Sequence, residues 1–489
     1  MRRMVVVLAS VALAVGLLFS GTYSGISADL RKAVAQTVPA RPNIVFILTD
    51  DMRKDDLRYM PKTRALLKRE GMSFENAFVS NALCAPSRAT IMRGQYSHRN
   101  GVWSNSSTDS PTTSIGGWQA YRENGNEEDN VATRLHGAGY RTGLFGKYMN
   151  RYADTKYRPP GWDRWFAVST AGDPRYFRYD VNDDGTISHY GTNDRDYMTD
   201  VLSRKTGTFI ENSAPRSQPF FAYVAPIAPH APATPAPRDA HTFDGVKGPR
   251  LSSFNEGIIS DKPPWIRQLP RLTADRVSDI DNRHERRVES LQAVDDMVQG
   301  VVRALRDTGE MRQTYIFFTS DNGFHLGEHR IPEQKWRPYE EDVNVPLLVR
   351  GPDVAAGSTT YKMALNTDFL PTFTGLASAQ TPAYVDGRSL EPVLRGTVTS
   401  WRSAVLLEAA ANYSPSYRGI RTISTGGVPK RKYVEYSGGV RELYNLDPDP
   451  RERTNHYAPS SPVTNSLAAR LQGLKGCAGD TCFTAENGP

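Results

Sequence analysis

Beyond its N-terminus the chain alternates short runs of β-branched and aromatic residues with longer stretches whose apolar positions recur every three or four residues. The clearest run is IVFIL at 44–48. It has no polar residue on either face and predicts a strand covered on both sides. Further strands are predicted at 141–145, 220–224, 315–318 and 345–349. Ahead of the run at 315, the residues Leu291, Val294, Met297, Val298, Val301, Val302 and Leu305 mark one face of a helix over 289–305. Alternation of this kind builds an α/β fold, a sheet flanked by helices.

Beyond about Leu376 the pattern changes to short antiparallel strands, in YRGIRTIS, RKYVEYSGG and RELYNLDPDPRERTN, and a terminal helix over 463–474. The expected organisation is a catalytic-sized domain over 41–375 and a smaller α+β subdomain over 376–489. Polar residues at 104–114 and the Pro-rich PHAPATPAPR at 229–238 read as surface walls of a cleft. The segment Asp180-Val181-Asn182-Asp183-Asp184-Gly185 begins like a calcium-binding helix-loop-helix motif. Gly191, however, stands where that motif needs a bidentate Glu, so a hairpin turn is expected.

At the N-terminus, Arg2 and Arg3 precede an apolar stretch over 4–19 and small or polar residues through Ala28. This matches a secretory signal peptide over 1–28, followed by a linker over 29–40; an uncleaved anchor is the alternative. No second apolar stretch of that kind follows, so no stable membrane span is expected after processing, and the location is secreted or cell-surface. Three cysteines are present. Cys477 and Cys482 are close enough in GCAGDTC to form a small disulfide loop in an oxidising compartment. Cys84 is left over.

With 489 residues, 39% of them hydrophobic and 23% charged, the composition excludes disordered, collagenous and coiled-coil classes. The net charge of +7 is spread along the chain without a concentrated basic run, which argues against nucleic acid as a partner. More informative are the residues that follow each predicted strand: Asp50 and Asp51, then Gly146-Lys147, then Pro229-His230, then Asp321-Asn322. In open α/β sheets the ligand crevice lies beyond the carboxyl ends of the strands, so these side chains are expected to converge. Asp50, Asp51, Asp321 and Asn322 are hard oxygen ligands, suited to Ca²⁺ or Mg²⁺ rather than zinc.

The stretch CAPSRATIMRG at 84–94 resembles the sulfatase signature. The resemblance extends from RPNIVFILTDDM at 41–52 through GQYSHRNGV at 94–102 and GKYMNRY at 146–152 to TSDNGFHLGEH at 319–329, QKWRPYEEDVNVPLLVRGP and TDFLPT at 367–372. It implies an alkaline-phosphatase-like α/β architecture, with a large central mixed, mostly parallel sheet flanked by helices, and a formylglycine made from Cys84 by a formylglycine-generating enzyme. The hydrated aldehyde would be the nucleophile, with position 84 also facing the metal. It implies Ca²⁺ ahead of Mg²⁺ at Asp50, Asp51, Asp321 and Asn322. Arg88 would hold the hydrate, Lys147 and Lys335 would neutralise the sulfate, and His230 would protonate the leaving alcohol.

Two departures stand out. Met92-Arg93 replaces the usual Leu-Thr, and many arylsulfatases carry G-K-x-H where this chain has Gly146-Lys147-Tyr148-Met149 and then Asn150. Another base must therefore serve the second step. His325, four residues after Asp321, is the candidate, and Asn150 and His325 are taken as substrate-facing. The G-K-Y-x-N form, with APHAPATPAPR and GEHRIPEQKWRPYEED, looks most like the glucosamine-6-sulfatase and heparan-sulfatase branch. The expected substrate is a sulfated carbohydrate such as 6-O-sulfated N-acetylglucosamine. Alternatives are a phosphonate monoester or phosphodiester hydrolase of the same superfamily, and a catalytically silent glycan-binding protein.

Overall fold

The run at 44–48 lies inside a ten-stranded sheet, seen in a computed structural model that describes residues 41–488 apart from 110–114, 154–155, 173–174, 411–414 and 425–428. The expected signal peptide over 1–28 and linker over 29–40 fall outside the described residues. The strands in chain order begin with β1 (Asn43–Thr49), β2 (Met72–Phe74), β3 (Ala77–Phe78) and β4 (Arg141–Gly146). Next come β5 (Arg164–Val168), β6 (Tyr179–Asp183), β7 (Thr186–Tyr190) and β8 (Phe220–Ala225). Then follow β9 (Thr314–Ser320), β10 (Leu347–Arg350), β11 (Ser358–Thr360) and β12 (Ala364–Leu365). The last are β13 (Ala404–Ala409), β14 (Tyr417–Thr422), β15 (Arg431–Tyr436) and β16 (Arg441–Asn445).

The large sheet has the order β11-β2-β10-β9-β1-β8-β4-β5-β6-β7. Its centre, from β9 to β5, is parallel, and β10, β6 and β7 add antiparallel pairings on either side. Register matters for function. Thr49 of β1 is opposite Ser320 of β9, and Gly146 of β4 is opposite Ala225 of β8. The loops that follow these strands therefore leave from one edge, as the sequence implied.

Both faces of β1 are covered. Ile44, Phe46 and Leu48 enter one core, where the Phe46 ring lies 4.9 Å from that of Phe369. Val45 and Ile47 enter a second, against Val294, Val298 and Val301. Those valines belong to a helix over Ala274–Asp307, much longer than the 289–305 expected. Before Arg287 only Ile280 and His284 of that helix are buried, so its first half has no apolar stripe to read. Thr273 caps it, accepting the Arg276 N–H at 3.2 Å. In the run expected at 345–349 the strand starts only at Leu347, because Pro346 has no N–H for a ladder. The calcium-like segment at 180–185 is the β6–β7 hairpin, with Asp183 opposite Thr186.

The C-terminal strands form an antiparallel sheet, β13-β14-β15-β16, followed by the helix Pro462–Leu474 and a Cys477–Cys482 disulfide. Leu406, Ile420 and Leu471 share the core of Ile44 and Phe46, so the apolar interior runs across the boundary expected near residue 376. Polar ties cross it too. His98 Nδ1 lies 3.0 Å from Glu408 Oε2, and its Nε2 lies 3.0 Å from the carbonyl of Cys477. Buried Arg402 reaches Asp368 at 2.6 Å and Glu486 at 3.2 Å. No helix among the described residues is long and apolar enough to cross a membrane.

Candidate active site

Cys84 is the first residue of the helix Cys84–Arg93. The start of that helix is poor in its own caps: Leu83 at the N-cap has no side-chain acceptor, and Pro86 has no N–H. Asn105, on a separate loop, supplies the missing acceptor, its Oδ1 taking the Ala85 N–H at 2.9 Å. That loop is itself held. Gly117 N–H donates to Ser104 O, and Trp118 N–H to Asn150 O, both at 2.8 Å. Gly117 has φ +57°, and a Cβ there would stand 2.3 Å from Asn105 O, so only glycine closes the contact. At the far end of the helix, Arg93 stacks on Tyr384 at 3.8 Å.

Around Cys84 the strand-end residues do converge. Lys335 Nζ lies 2.8 Å from Cys84 Sγ and 2.5 Å from Asp51 Oδ1. Lys147 Nζ donates to Asp50 Oδ2 at 2.6 Å, and Asp50 Oδ1 is 3.4 Å from the sulfur. Arg88 Nε donates to Asp321 Oδ2 at 2.8 Å, and its Nη1 to the carbonyl of Lys147 at 2.8 Å. Asn322 Nδ2 donates to Asp51 Oδ1 at 2.7 Å. Asp50, Arg88, Lys147, Asp321 and Asn322 are all at 0% exposure. Gly146 sets the angle at which β4 delivers Lys147: its φ is +113°, and a Cβ would lie 2.1 Å from Ala225 O.

Charge in so dry a place is tolerated only in pairs. Burial alone would raise the Asp50 carboxyl, but Lys147, His230, Arg88 and Lys335 hold it far below the usual carboxylate range. At Asp51, burial is likewise outweighed, chiefly by Lys335. For Asp321, burial and the charge of Asp50 win over Arg88 and push it up to about 6. The Cys84 thiol is pushed up to about 12 by burial, against the pull of Lys147 and Lys335. A thiol that stays protonated to that point is not a nucleophile near neutrality.

His230 reaches the same cluster, with Nε2 3.7 Å from Asp51 Oδ2 and Nδ1 2.8 Å from the Ala231 carbonyl. That carbonyl favours the tautomer with the proton on Nδ1, leaving Nε2 to face the acidic group. The ring is 21% exposed and burial lowers its pKa. His325 is placed differently. It is fully buried, its Nδ1 is 2.7 Å from Asp342 Oδ1, and among the described residues it has no hydrogen bond or ion pair to Cys84, Asp50, Asp51 or Asp321. Its contacts flank Lys335 instead: His325 N–H donates to Gln334 O at 2.7 Å, and Asp342 Oδ2 accepts the Arg337 N–H at 2.8 Å. Asn150 meets the loop that carries Asn105 rather than the cluster itself, its carbonyl accepting the Trp118 N–H, while its Oδ1 is shielded and has no partner among the described residues.

Sequence reading missed two contributors. Asn105 lies in a polar loop with nothing to distinguish it from its neighbours. Arg287, 1% exposed, donates to the Asp51 carbonyl at 2.6 Å and to Asp56 at 3.0 Å, fixing the turn that carries Asp51 at φ 67°. An arginine amid a helix's buried apolar face was the signal that could have found it.

The donor set suits a hard divalent cation. Asp50, Asp51, Cys84 and His230 each offer an atom within 4.8 Å of the others. Beside them, Asn322 Oδ1 is buried without a hydrogen-bond partner among the described residues. A buried amide oxygen next to three carboxylates is what a cation with oxygen ligands requires.

A family profile described as Sulfatase matches residues 42–379, and a second, N-sulphoglucosamine sulphohydrolase C-terminal, matches 327–476. Human N-acetylglucosamine-6-sulfatase is 34% identical over 91% of this chain and 86% of its own length. The extracellular sulfatase SULF-1 homolog of Drosophila melanogaster is 34% identical over 76% of this chain and 33% of its own. BT4656, solved in complex with its substrate D-glucosamine-2-N,6-O-disulfate, matches with a TM-score of 0.75 at 25% identity, covering 91% of this chain and 99% of that one.

Proposed function

The chain belongs to the sulfatase family, and from that premise we propose that it is an exported enzyme that hydrolyses the 6-O-sulfate ester of a glucosamine unit in a sulfated carbohydrate. The observation that carries this reading is the convergence of Lys335, Lys147 and Arg88 around position 84. The relatives' names, glucosamine-6-sulfatase and extracellular sulfatase, support the sugar and the export.

A sulfate monoester is an anion, and its sulfur is open to attack only when the peripheral oxygens are neutralised. A formylglycine at position 84 would supply a hydrated aldehyde as nucleophile, and a divalent cation held by Asp50, Asp51, Asp321 and Asn322 would supply positive charge beside it, Ca²⁺ ahead of Mg²⁺. Lys335 and Lys147 add fixed ammonium groups on two sides of position 84. Arg88, locked between Asp321 and the Lys147 carbonyl, keeps residue 84 and both carboxylate loops in one frame. His230 Nε2 faces the cluster from its more open side, where, once it has itself taken up a proton, it can hand that proton to the departing sugar oxygen. A side chain such as His325, fully buried on Asp342, acts on this site by bracing the Lys335 loop.

The test compares sulfate release from N-acetylglucosamine 6-sulfate with release from N-sulfated glucosamine, nitrophenyl sulfate, and phosphonate and phosphodiester analogues. The reading expects the 6-sulfate to be turned over fastest. A higher kcat/KM for a phosphorus ester would overturn it.

A further inference from the structure

A cleft of about 940 Å³ lies between the segment that follows Asp51, the short helix Glu340–Val343 and the C-terminal sheet. None of Asp50, Asp51, Cys84, Lys147, His230, Asp321, Asn322 or Lys335 lines it. Most of its basic residues are already matched by acids, as in Arg421–Glu340 at 2.9 Å and Lys54–Glu75 at 3.1 Å. Arg58, Arg64 and Lys68 are different: they are exposed, they line one wall, and no carboxylate lies within ion-pair distance among the described residues. These three cations of the segment over 58–68, none in a close ion pair and only Arg58 sharing its field with Asp55, give the cleft a local field for anions.

One further feature narrows the ligand. Tyr361, a large aromatic side chain, lines the cleft with 71% of its surface exposed. An aromatic face held open in this way is one on which the C–H face of a sugar ring can pack. Sulfates for the cations and a ring face for Tyr361 are the groups of one class of molecule.

We propose that this cleft is a second binding site, separate from the catalytic cluster, for a sulfated stretch of glycan chain. It rests on the carbohydrate reading above and extends it: the enzyme would hold a polymer at two places and cleave at one. Short substrates would be indifferent to the cleft, and long ones would depend on it.

The test uses the full chain carrying Cys84→Ala, so that nothing is consumed, and measures binding of a heparin-derived octasaccharide by calorimetry. Arg58→Ser/Arg64→Ser/Lys68→Ser and, separately, Tyr361→Ala are expected to raise the octasaccharide Kd by tenfold or more. In the Cys84-containing protein the same changes should leave kcat/KM for N-acetylglucosamine 6-sulfate within twofold. An octasaccharide Kd unchanged in both variants overturns the proposal, as does competition by inorganic sulfate that removes all the octasaccharide binding. Because binding is read without turnover, a loss of affinity in a parent that hydrolyses no sulfated sugar would keep this site and reject the catalytic reading.

Discussion

The side-chain carbonyl of Asn105 accepts the Ala85 N–H at 2.9 Å, so the helix that begins with Cys84 is capped by a residue from another loop. A cap of this kind is worth about 1 kcal/mol, enough to loosen the first turn without unfolding the protein. Asn105→Ala is expected to lower kcat about fivefold with KM within twofold, the rate factor to which about 1 kcal/mol converts. Asn105→Asp, which keeps an acceptor near a helix N-terminus, should recover most of the rate. Equal losses for both variants would mean that Asn105 merely fills space.

Lys335 stands between Cys84 and Asp51. If its charge neutralises sulfate oxygens, Lys335→Ala should lower kcat/KM by about a hundredfold to a thousandfold, the range for losing one preorganised charge or donor. Steady-state kinetics on a monosaccharide sulfate measure this directly. A loss below fivefold would remove Lys335 from the chemistry.

Three carboxylates and an unpartnered amide oxygen, gathered in a buried cluster, should also show themselves in stability. Chelation is expected to lower the Tm as well as the activity, because a ligand bound only by the folded state stabilises it in proportion to its occupancy. Ca²⁺ should restore both more fully than Mg²⁺, which tolerates irregular oxygen cages poorly. A Tm unmoved by chelation would argue that the oxygen cluster holds no ion.

His98 ties the segment that follows the Cys84–Arg93 helix to the C-terminal sheet and supplies a pH signature. Burial would lower its pKa, but hydrogen bonding and charge from Glu408, then the Cys477 carbonyl, raise it overall. Both ring nitrogens face acceptors, so the folded state favours the imidazolium. The resulting stability is complete below the ordinary histidine value of about 6.5 and fades as pH rises through the raised one. The urea midpoint of the native protein should exceed that of His98→Gln at pH 5.5 by an amount equivalent to about 1–2 kcal/mol, and the gap should shrink by pH 9. A gap that grows with pH would reverse the assignment.

Residues whose placement is set by local pattern were legible from sequence. The IVFIL run announced a strand buried on both faces, and the strand-end positions of Asp50, Asp51, Lys147, His230, Asp321 and Asn322 announced their convergence. What needed three dimensions were the partners that act from elsewhere. The first half of the helix over Ala274–Asp307 has almost no buried face and therefore no period. Asn105 and Arg287 work through hydrogen bonds to residues distant in sequence, which no spacing encodes. His325 shows the converse: proximity to Asp321 in the chain suggested a base, whereas its ring is held on Asp342, beside the loop that carries Lys335.

We propose above all that position 84 becomes the nucleophile of a sulfate-ester hydrolase. It is tested by the mass of the tryptic peptide ending at Arg88, taken from a preparation whose sulfate release has been measured. The account expects a loss of about 18 Da relative to the cysteine peptide, in proportion to activity, as conversion of the thiol to an aldehyde requires. An intact Cys84 in protein that releases sulfate at full rate would contradict it.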